Sequence, residues 1–293
     1  MSEARSLRTA LASAERLLAS AGVPCPRADA HALAAHLLQV SPGELARLLL
    51  LGAPAPAGLD ELVTRRADRV PLQHLVGGVT FRHSAVRVGP GVFVPRPETE
   101  TVAGHAVDEA ARVSADQGTV LVADLCTGSA AIAIAVAQEV PASRLVAVEL
   151  DPAAFAWAEQ NVAASGAGDR IILRRGDVTR CDRTLLAEFA GEVDVVVANP
   201  PYIPPDGVPH EPEVRDHDPA LALYGGGDDG LEVPRAVVAA SAVLLRPGGL
   251  LVMEHGDAQG APTRALAGAG WDGVRTARDL TGRDRMLLAR RAR

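Results

Sequence analysis

The apolar run Val195 to Ala198 stops abruptly at Asn199-Pro200-Pro201-Tyr202, residue types that can do chemistry few turns can. Proline locks its own φ and restricts the residue before it, so the Asn199 side chain and the Pro200 carbonyl are held in a preset geometry. Both Asn Oδ1 and a backbone C=O are hydrogen-bond acceptors. Two acceptors side by side match a planar –NH2 group, and holding both of its hydrogens exposes the nitrogen lone pair to an electrophile. The Tyr202 ring can cover the face of a planar substrate. The competing reading is a proline-rich turn that merely caps a strand.

Three acids upstream weigh against that plain reading. Asp124 precedes a small-residue turn, Cys126-Thr127-Gly128-Ser129-Ala130, which leads into a helix. Such a turn lets a ligand approach the backbone and the helix N-terminus. The dinucleotide fingerprint would need glycine at Cys126 and again three residues beyond Gly128, and both are missing. An acid there suits a cationic amino group better than a pyrophosphate. Glu149 ends the next apolar run, where a carboxylate can accept from both hydroxyls of a ribose. Asp177, followed by Val178, ends the third and can take an adenine amino group. Each acid alone is an ordinary strand end. Three in succession at one sheet edge describe a nucleoside site, because ligands bind at that edge of open α/β sheets.

The elements that must position these residues follow from hydrophobic periodicity. Residues 1–75 read as helices only, with Leu7, Leu11, Leu17 and Leu18 at helical spacing and the pattern repeated from Asp29 to Val40. Ser41-Pro42-Gly43-Glu44 is a helix start, with a capping box between Ser41 and Glu44. A breaker at Gly52 to Pro56 precedes a helix from Gly58 to Arg69. The alternation from Val79 to Val88 predicts a β-hairpin. Pro90 to Glu100 is a proline-stiffened loop, and a helix runs from Thr99 to Asp116. From Thr119 onward apolar runs alternate with helical patterns: TVLVADL, RLVAVEL, RIILRRGD, VDVVVAN and GLLVMEHG. Such runs are strands buried on both faces, so the expected fold class is α/β, a mostly parallel sheet with flanking helices behind a small helical bundle. The expected domains are 1–75, a hairpin and loop linker at 76–98, and 99–293.

Composition narrows the functions further. The 293 residues carry a formal net charge of -7, and no lysine occurs. That balance argues against a nonspecific nucleic-acid binder. Cys25, Cys126 and Cys181 are far apart and match no metal-ligand spacing, so no metal is expected, and their odd, sparse count suggests a reducing compartment. The amphipathic, charged N-terminus does not read as a signal peptide, and no run approaches a membrane span. A cytoplasmic protein is expected.

Together these motifs resemble the Rossmann-like, class I S-adenosylmethionine-dependent amino methyltransferases, and within them the HemK/PrmC family of protein-(glutamine-N5) methyltransferases. The resemblance extends over nearly the whole chain. It includes AGVPCPRADAHALAAHLL, Pro71 to Gly77, Pro95-Arg96-Pro97-Glu98-Thr99-Glu100, Glu213 to Asp216, Ala220-Leu221, Gly226 to Leu231, Met253-Glu254-His255-Gly256 and Gly282 to Arg285. It implies S-adenosyl-L-methionine as cofactor and S-adenosyl-L-homocysteine as product. Asp124 and the turn from Cys126 through Thr127, Gly128 and Ser129 to Ala130 would lie around the methionine part. Glu149 would hold the ribose, and Asp177 with Val178 the adenine. Asn199, Pro200, Pro201 and Tyr202 would hold the substrate amide, with Asn199, Pro200 and Tyr202 as the catalytic set and Asn199 also among the cofactor-binding residues. The family turn usually carries glycine at the positions of Cys126 and Ala130, and often Asp at that of Glu149. Cys and Ala are small enough for close approach if their φ stays negative.

The implied reaction is methyl transfer to the glutamine amide of the Gly-Gly-Gln tripeptide in bacterial class I peptide chain release factors, in translation termination. No side chain reads as a base for the amide, so orientation and acceptors carry the catalysis. The helical N-terminal segment is the expected docking surface for this protein substrate. The enzyme is expected to act as a monomer, with no stable nucleic-acid or membrane partner. A DNA or RNA adenine-N6 methyltransferase is the alternative, since its target –NH2 is also planar, but it would need a basic groove. A non-catalytic nucleotide binder has no use for a preset amide clamp.

Overall fold

In the computed structural model, residues 5–180 and 185–293 are described; Cys181 lies outside them, as do residues 1–4. Helices α1 (Leu7–Ser20), α2 (Pro26–Leu38), α3 (Pro42–Leu50), α4 (Leu59–Ala67) and α5 (Leu72–Val76) come first. The hairpin β1 (Gly78–Phe81) and β2 (Ser84–Arg87) follows, then α6 (Pro97–Gln117) and β3 (Val120–Leu125). Next are α7 (Ala131–Glu139), β4 (Ser143–Glu149), α8 (Pro152–Ala164), β5 (Ile171–Arg175) and β6 (Val193–Ala198). The chain ends with α9 (Pro212–His217), α10 (Ala220–Leu223), α11 (Glu232–Leu244), β7 (Leu245–Glu254), α12 (Gly260–Leu266), β8 (Trp271–Arg278) and β9 (Asp284–Arg291).

These elements form two compact units. The first comprises residues 1–78 together with 209–217. Its core is the leucine-rich face of the early helices, including Leu7, Leu18, Leu33, Leu45 and Leu59. Ser41 caps α3 by accepting from the Glu44 N–H at 3.2 Å. The expected box is only half made, because the Glu44 carboxylate pairs with Arg47 Nη2 at 2.7 Å instead. The short helix α9 adds Glu213, which bonds Arg66 at 2.8 Å and Arg69 at 2.6 Å. Arg66 also donates through Nε to Asp29 Oδ2 at 2.7 Å. Arg66 is 5% exposed, so this is a buried, charge-paired cluster. Burial pushes the Glu213 carboxyl up, but Arg69 and Arg66 outweigh it and hold it near 2.

The second unit comprises residues 79–208 and 218–293. Its seven-stranded sheet has the order β5-β4-β3-β6-β7-β9-β8. The strands from β5 to β7 pair in parallel, and β9 pairs antiparallel with both β7 and β8. All six β6 residues are buried, as its apolar run requires. Asp194 sits inside this strand because its carboxylate accepts the Leu121 N–H at 2.8 Å and pairs with Arg246. The sheet thus adds an antiparallel edge to the expected parallel body. From β3 the chain winds outward through β4 and β5, then returns to β6 on the other side of β3. That reversal opens a crevice at the carboxyl ends of β3 and β6.

Candidate active site

The crevice is a cavity whose wall brings together Cys126, Gly128, Glu149, Asp177, Asn199 and Tyr202, in other words the carboxyl ends of four adjacent parallel strands. Thr127, Ser129, Val178 and Pro201 also line it. Every lining residue belongs to the second unit.

The turn after β3 departs from the sequence expectation. Cys126 has φ 62° and Ala130 φ 65°, both left-handed, as is Gly128 at 59°. For a residue with a Cβ this conformation costs on the order of 1–2 kcal/mol. The turn persists because its neighbours over-determine it. The Thr127 N–H donates to Val148 O at 2.9 Å, and the Ala130 N–H donates to Thr127 O at 2.9 Å. Asn161, buried on α8, donates to Ser129 O at 2.9 Å and brackets Arg87 of the hairpin through both backbone groups. Cys126→Gly is therefore expected to raise stability in urea unfolding by roughly 1 kcal/mol, and Cys126→Val to lower it by roughly 1–3 kcal/mol. The opposite order would mean the turn carries no strain.

Asp124 has a different place from the one expected. It is fully buried and off the cavity wall. Its Oδ2 accepts from the Thr127 hydroxyl at 2.6 Å and from the Ala133 N–H at 3.1 Å, so it braces the turn against the start of α7. Burial pushes its carboxyl up to about 7 against those two bonds. Ala130 and Pro200 are likewise not on the wall.

Glu149 fits a nucleoside. Its Oε2 accepts the Gly128 N–H and its Oε1 the Asp151 N–H, each at 2.8 Å. Each carboxylate oxygen keeps a further lone pair for a ribose hydroxyl. Burial raises this carboxyl above its ordinary value, opposed by the backbone N–H groups it binds. Glu149→Gln must turn an –NH2 toward one of those N–H groups. It is expected to weaken S-adenosylmethionine binding about 10- to 100-fold in calorimetry; unchanged affinity would remove Glu149 from the site. Asp177 accepts the Thr179 N–H at 2.8 Å at the foot of the same wall, beside buried Val178.

The segment after β6 is pinned from three sides. The Tyr202 and Ile203 N–H groups both donate to Leu223 O, at 3.2 and 2.8 Å. Gln259 donates to Tyr202 O at 2.9 Å. The glycine-rich stretch 225–230 lies directly against this backbone: a Cβ on Gly230 would come 2.4 Å from Tyr202 O, and one on Gly225 would come 2.7 Å from Pro201 O. Only glycine permits that approach.

From the wall residues Thr99, Asn199 and Tyr202 a polar chain that no spacing in the sequence announced runs inward to buried Glu254. Asn199 Nδ2 donates to Thr99 Oγ1 at 3.3 Å, and the Thr99 hydroxyl donates to Glu254 Oε2 at 2.8 Å. The Tyr202 hydroxyl reaches Glu254 Oε1 at 3.5 Å. Burial, then Glu254, pushes the Tyr202 phenol up, which keeps it a neutral donor. Burial lifts Glu254 to about 7, against Thr99 and Arg285. Thr99 and Glu254 lie in the stretches Pro95 to Glu100 and Met253 to Gly256, where family resemblance was the signal.

The cavity sets the carboxylates Glu149 and Asp177, groups suited to a nucleoside, on the same wall as Asn199, whose amide oxygen is an acceptor suited to a planar –NH2. Residues 9–77 match the family model of the PrmC N-terminal domain, and 105–209 that of the methyltransferase small domain. The release factor glutamine methyltransferase of Streptomyces coelicolor is 46% identical over 285 residues, 96% of this chain and 97% of its own. A 4-amino-L-phenylalanine/4-methylamino-L-phenylalanine methyltransferase of Streptomyces pristinaespiralis is 42% identical over 269 residues, 90% of this chain and 87% of its own. A methyltransferase of Pyrococcus furiosus shares the fold at 16% identity, with a TM-score of 0.52 over 72% of this chain and 90% of its own.

Proposed function

The chain belongs to the release factor glutamine methyltransferase family, and on that premise we propose that it methylates the side-chain amide nitrogen of a release-factor glutamine, the one in the Gly-Gly-Gln tripeptide. The observation that carries the site assignment is the pinned segment after β6, which sets Asn199, Pro201 and Tyr202 on the wall of the same cavity as Glu149 and Asp177. S-adenosylmethionine, when bound, supplies a methyl group made electrophilic by its sulfonium. Glu149, Asp177 and the turn from Cys126 to Ser129 would hold it.

The chain's own residues then act on the amide. An amide nitrogen is a poor nucleophile because its lone pair is delocalised into the carbonyl. Asn199 Oδ1 and the Pro200 carbonyl accept its two hydrogens, which fixes the lone pair toward the methyl carbon and stabilises positive charge as it develops on nitrogen. With the cofactor bound, Asn199 and Pro200 would hold the nitrogen in place while it gains the methyl group and releases one hydrogen as a proton. Tyr202, neutral, covers the amide plane. Positioning of this kind contributes on the order of 7 to 11 kcal/mol. The helical segment 1–75 docks the release factor, since one glutamine side chain offers little affinity. The enzyme works as a cytoplasmic monomer with no stable nucleic-acid partner.

One finding gives a second reading weight: a relative of similar identity is named for an arylamine substrate. Competition with labelled cofactor separates the possibilities. Release factor is expected to take the label, and duplex DNA and 4-amino-L-phenylalanine to stay unlabelled. Preferential labelling of either of the latter would reject the glutamine assignment.

A further inference from the structure

The amide clamp works only with Asn199 one way round. Presented to a substrate –NH2, Oδ1 accepts a hydrogen, whereas Nδ2 would set donor against donor. Shape does not decide between the two orientations, because the O and NH2 branches of an asparagine are nearly the same size. Something must impose polarity from behind.

We propose that the buried pair Thr99 and Glu254 sets the orientation of the Asn199 amide, so that Oδ1 and not Nδ2 faces the substrate nitrogen. This rests on the clamp reading above. The steps are forced by donor counting. A carboxylate only accepts, and a threonine hydroxyl has a single hydrogen. That hydrogen is committed to Glu254 Oε2 at 2.8 Å. Thr99 Oγ1 therefore offers Asn199 lone pairs alone, and the amide must answer with Nδ2, as it does at 3.3 Å. The amide is planar, so fixing Nδ2 on Thr99 leaves Oδ1 as the branch for the cavity that Asn199 lines. Glu254 is 2% exposed and Thr99, at the cavity wall, 3%, so the bond between them is shielded from bulk water. The same carboxylate also takes the Tyr202 hydroxyl at 3.5 Å and so ties both clamp side chains to one acceptor. Arg285 favours its ionised form, and Glu98 opposes it. Thr99 and Glu254 are positioning residues, acting through Asn199.

The test is an epistasis experiment on the full chain, with release factor as substrate, at about pH 9, where the Glu254 carboxyl is ionised. Replacing Glu254 by Met keeps the volume but removes the acceptor. The Thr99 hydrogen must then turn to Asn199 Oδ1, flipping the amide, and kcat should fall about 100-fold with cofactor affinity kept. Thr99→Val alone removes one neutral hydrogen bond and should cost about three- to tenfold in kcat. In the double variant nothing remains to donate to Oδ1, so kcat should climb back to the Thr99→Val level. A merely structural Glu254 would show no such rescue. Should Glu254→Met fail to fold, Glu254→Gln replaces it; its amide can also donate to Thr99, and its smaller loss should be rescued by Thr99→Val in the same way. Absence of rescue, or wild-type kcat in either Glu254 variant, overturns the proposal. An Asn199→Ala control separates the failures: full turnover there rejects the clamp itself, whereas lost turnover without rescue rejects only the orientation.

Discussion

Asn199→Ala should lower kcat for release-factor methylation by about 100- to 1,000-fold while leaving S-adenosylmethionine affinity within about threefold of wild type, the signature of losing a group that acts in the transition state. The reason lies in the division of the cavity. On the proposed reading the nucleoside is held mainly by Glu149, Asp177 and the turn after β3, and Asn199 lines the cavity beside them. What Asn199 supplies is an acceptor placed by a fully buried strand and a proline on its far side. Removing the side chain leaves the β6 hydrogen-bond ladder intact, so stability should change little. Steady-state kinetics with calorimetry on the same preparation read all three quantities. A KM effect with normal kcat would move Asn199 from catalysis to simple binding.

The second large effect is expected in the helical unit. Arg66→Leu strands the Asp29 carboxylate and leaves Glu213 with Arg69 alone, in a site where the Arg66 side chain is 6% exposed. Breaking such a pair from one side costs about 3–5 kcal/mol, because Asp29 stays buried without its partner. Hydrogen exchange in α1 to α4 should report the loss, with exchange in β3 and β6 unaffected. The acid limb provides a second check. The folded Glu213 carboxyl sits near 2, below its ordinary value of 4.5. A depressed acid contributes stability above its unfolded value and loses it as pH falls through the folded one. The unit should therefore weaken between about pH 4.5 and 2, and Glu213→Gln should flatten that decline. Unchanged protection in Arg66→Leu would mean the cluster is dispensable.

These two sites illustrate what the sequence could and could not reveal. The parallel strands were legible because a strand buried on both faces must be apolar throughout, as Val195 to Ala198 is. Strand β8 was not, because Trp271 to Arg278 lies at the sheet edge with polar residues on both faces, and β9 offers only Met286 to Ala289 between arginines. The strand-end acids were legible as a set, yet their roles were not equally so. Whether a carboxylate after β3 faces the crevice or the helix behind it depends on turn geometry, and Asp124 turned inward to Thr127 and Ala133. The left-handed Cys126 and Ala130 were hidden for the same reason, since small residues are compatible with either sign of φ. The Asn199–Thr99–Glu254 chain and the Arg66–Glu213 pair join residues far apart in sequence, and no local period encodes such contacts.

The central claim is that this site methylates a glutamine amide presented by a protein. The most direct measurement is tandem mass spectrometry of a purified release factor after incubation with the enzyme and S-adenosylmethionine. The account predicts one added methyl, localised by fragment ions to the glutamine side chain of Gly-Gly-Gln, and absent with the Asn199→Ala variant. A methyl found on another residue, or an unmodified release factor with an enzyme that binds the cofactor normally, would contradict it.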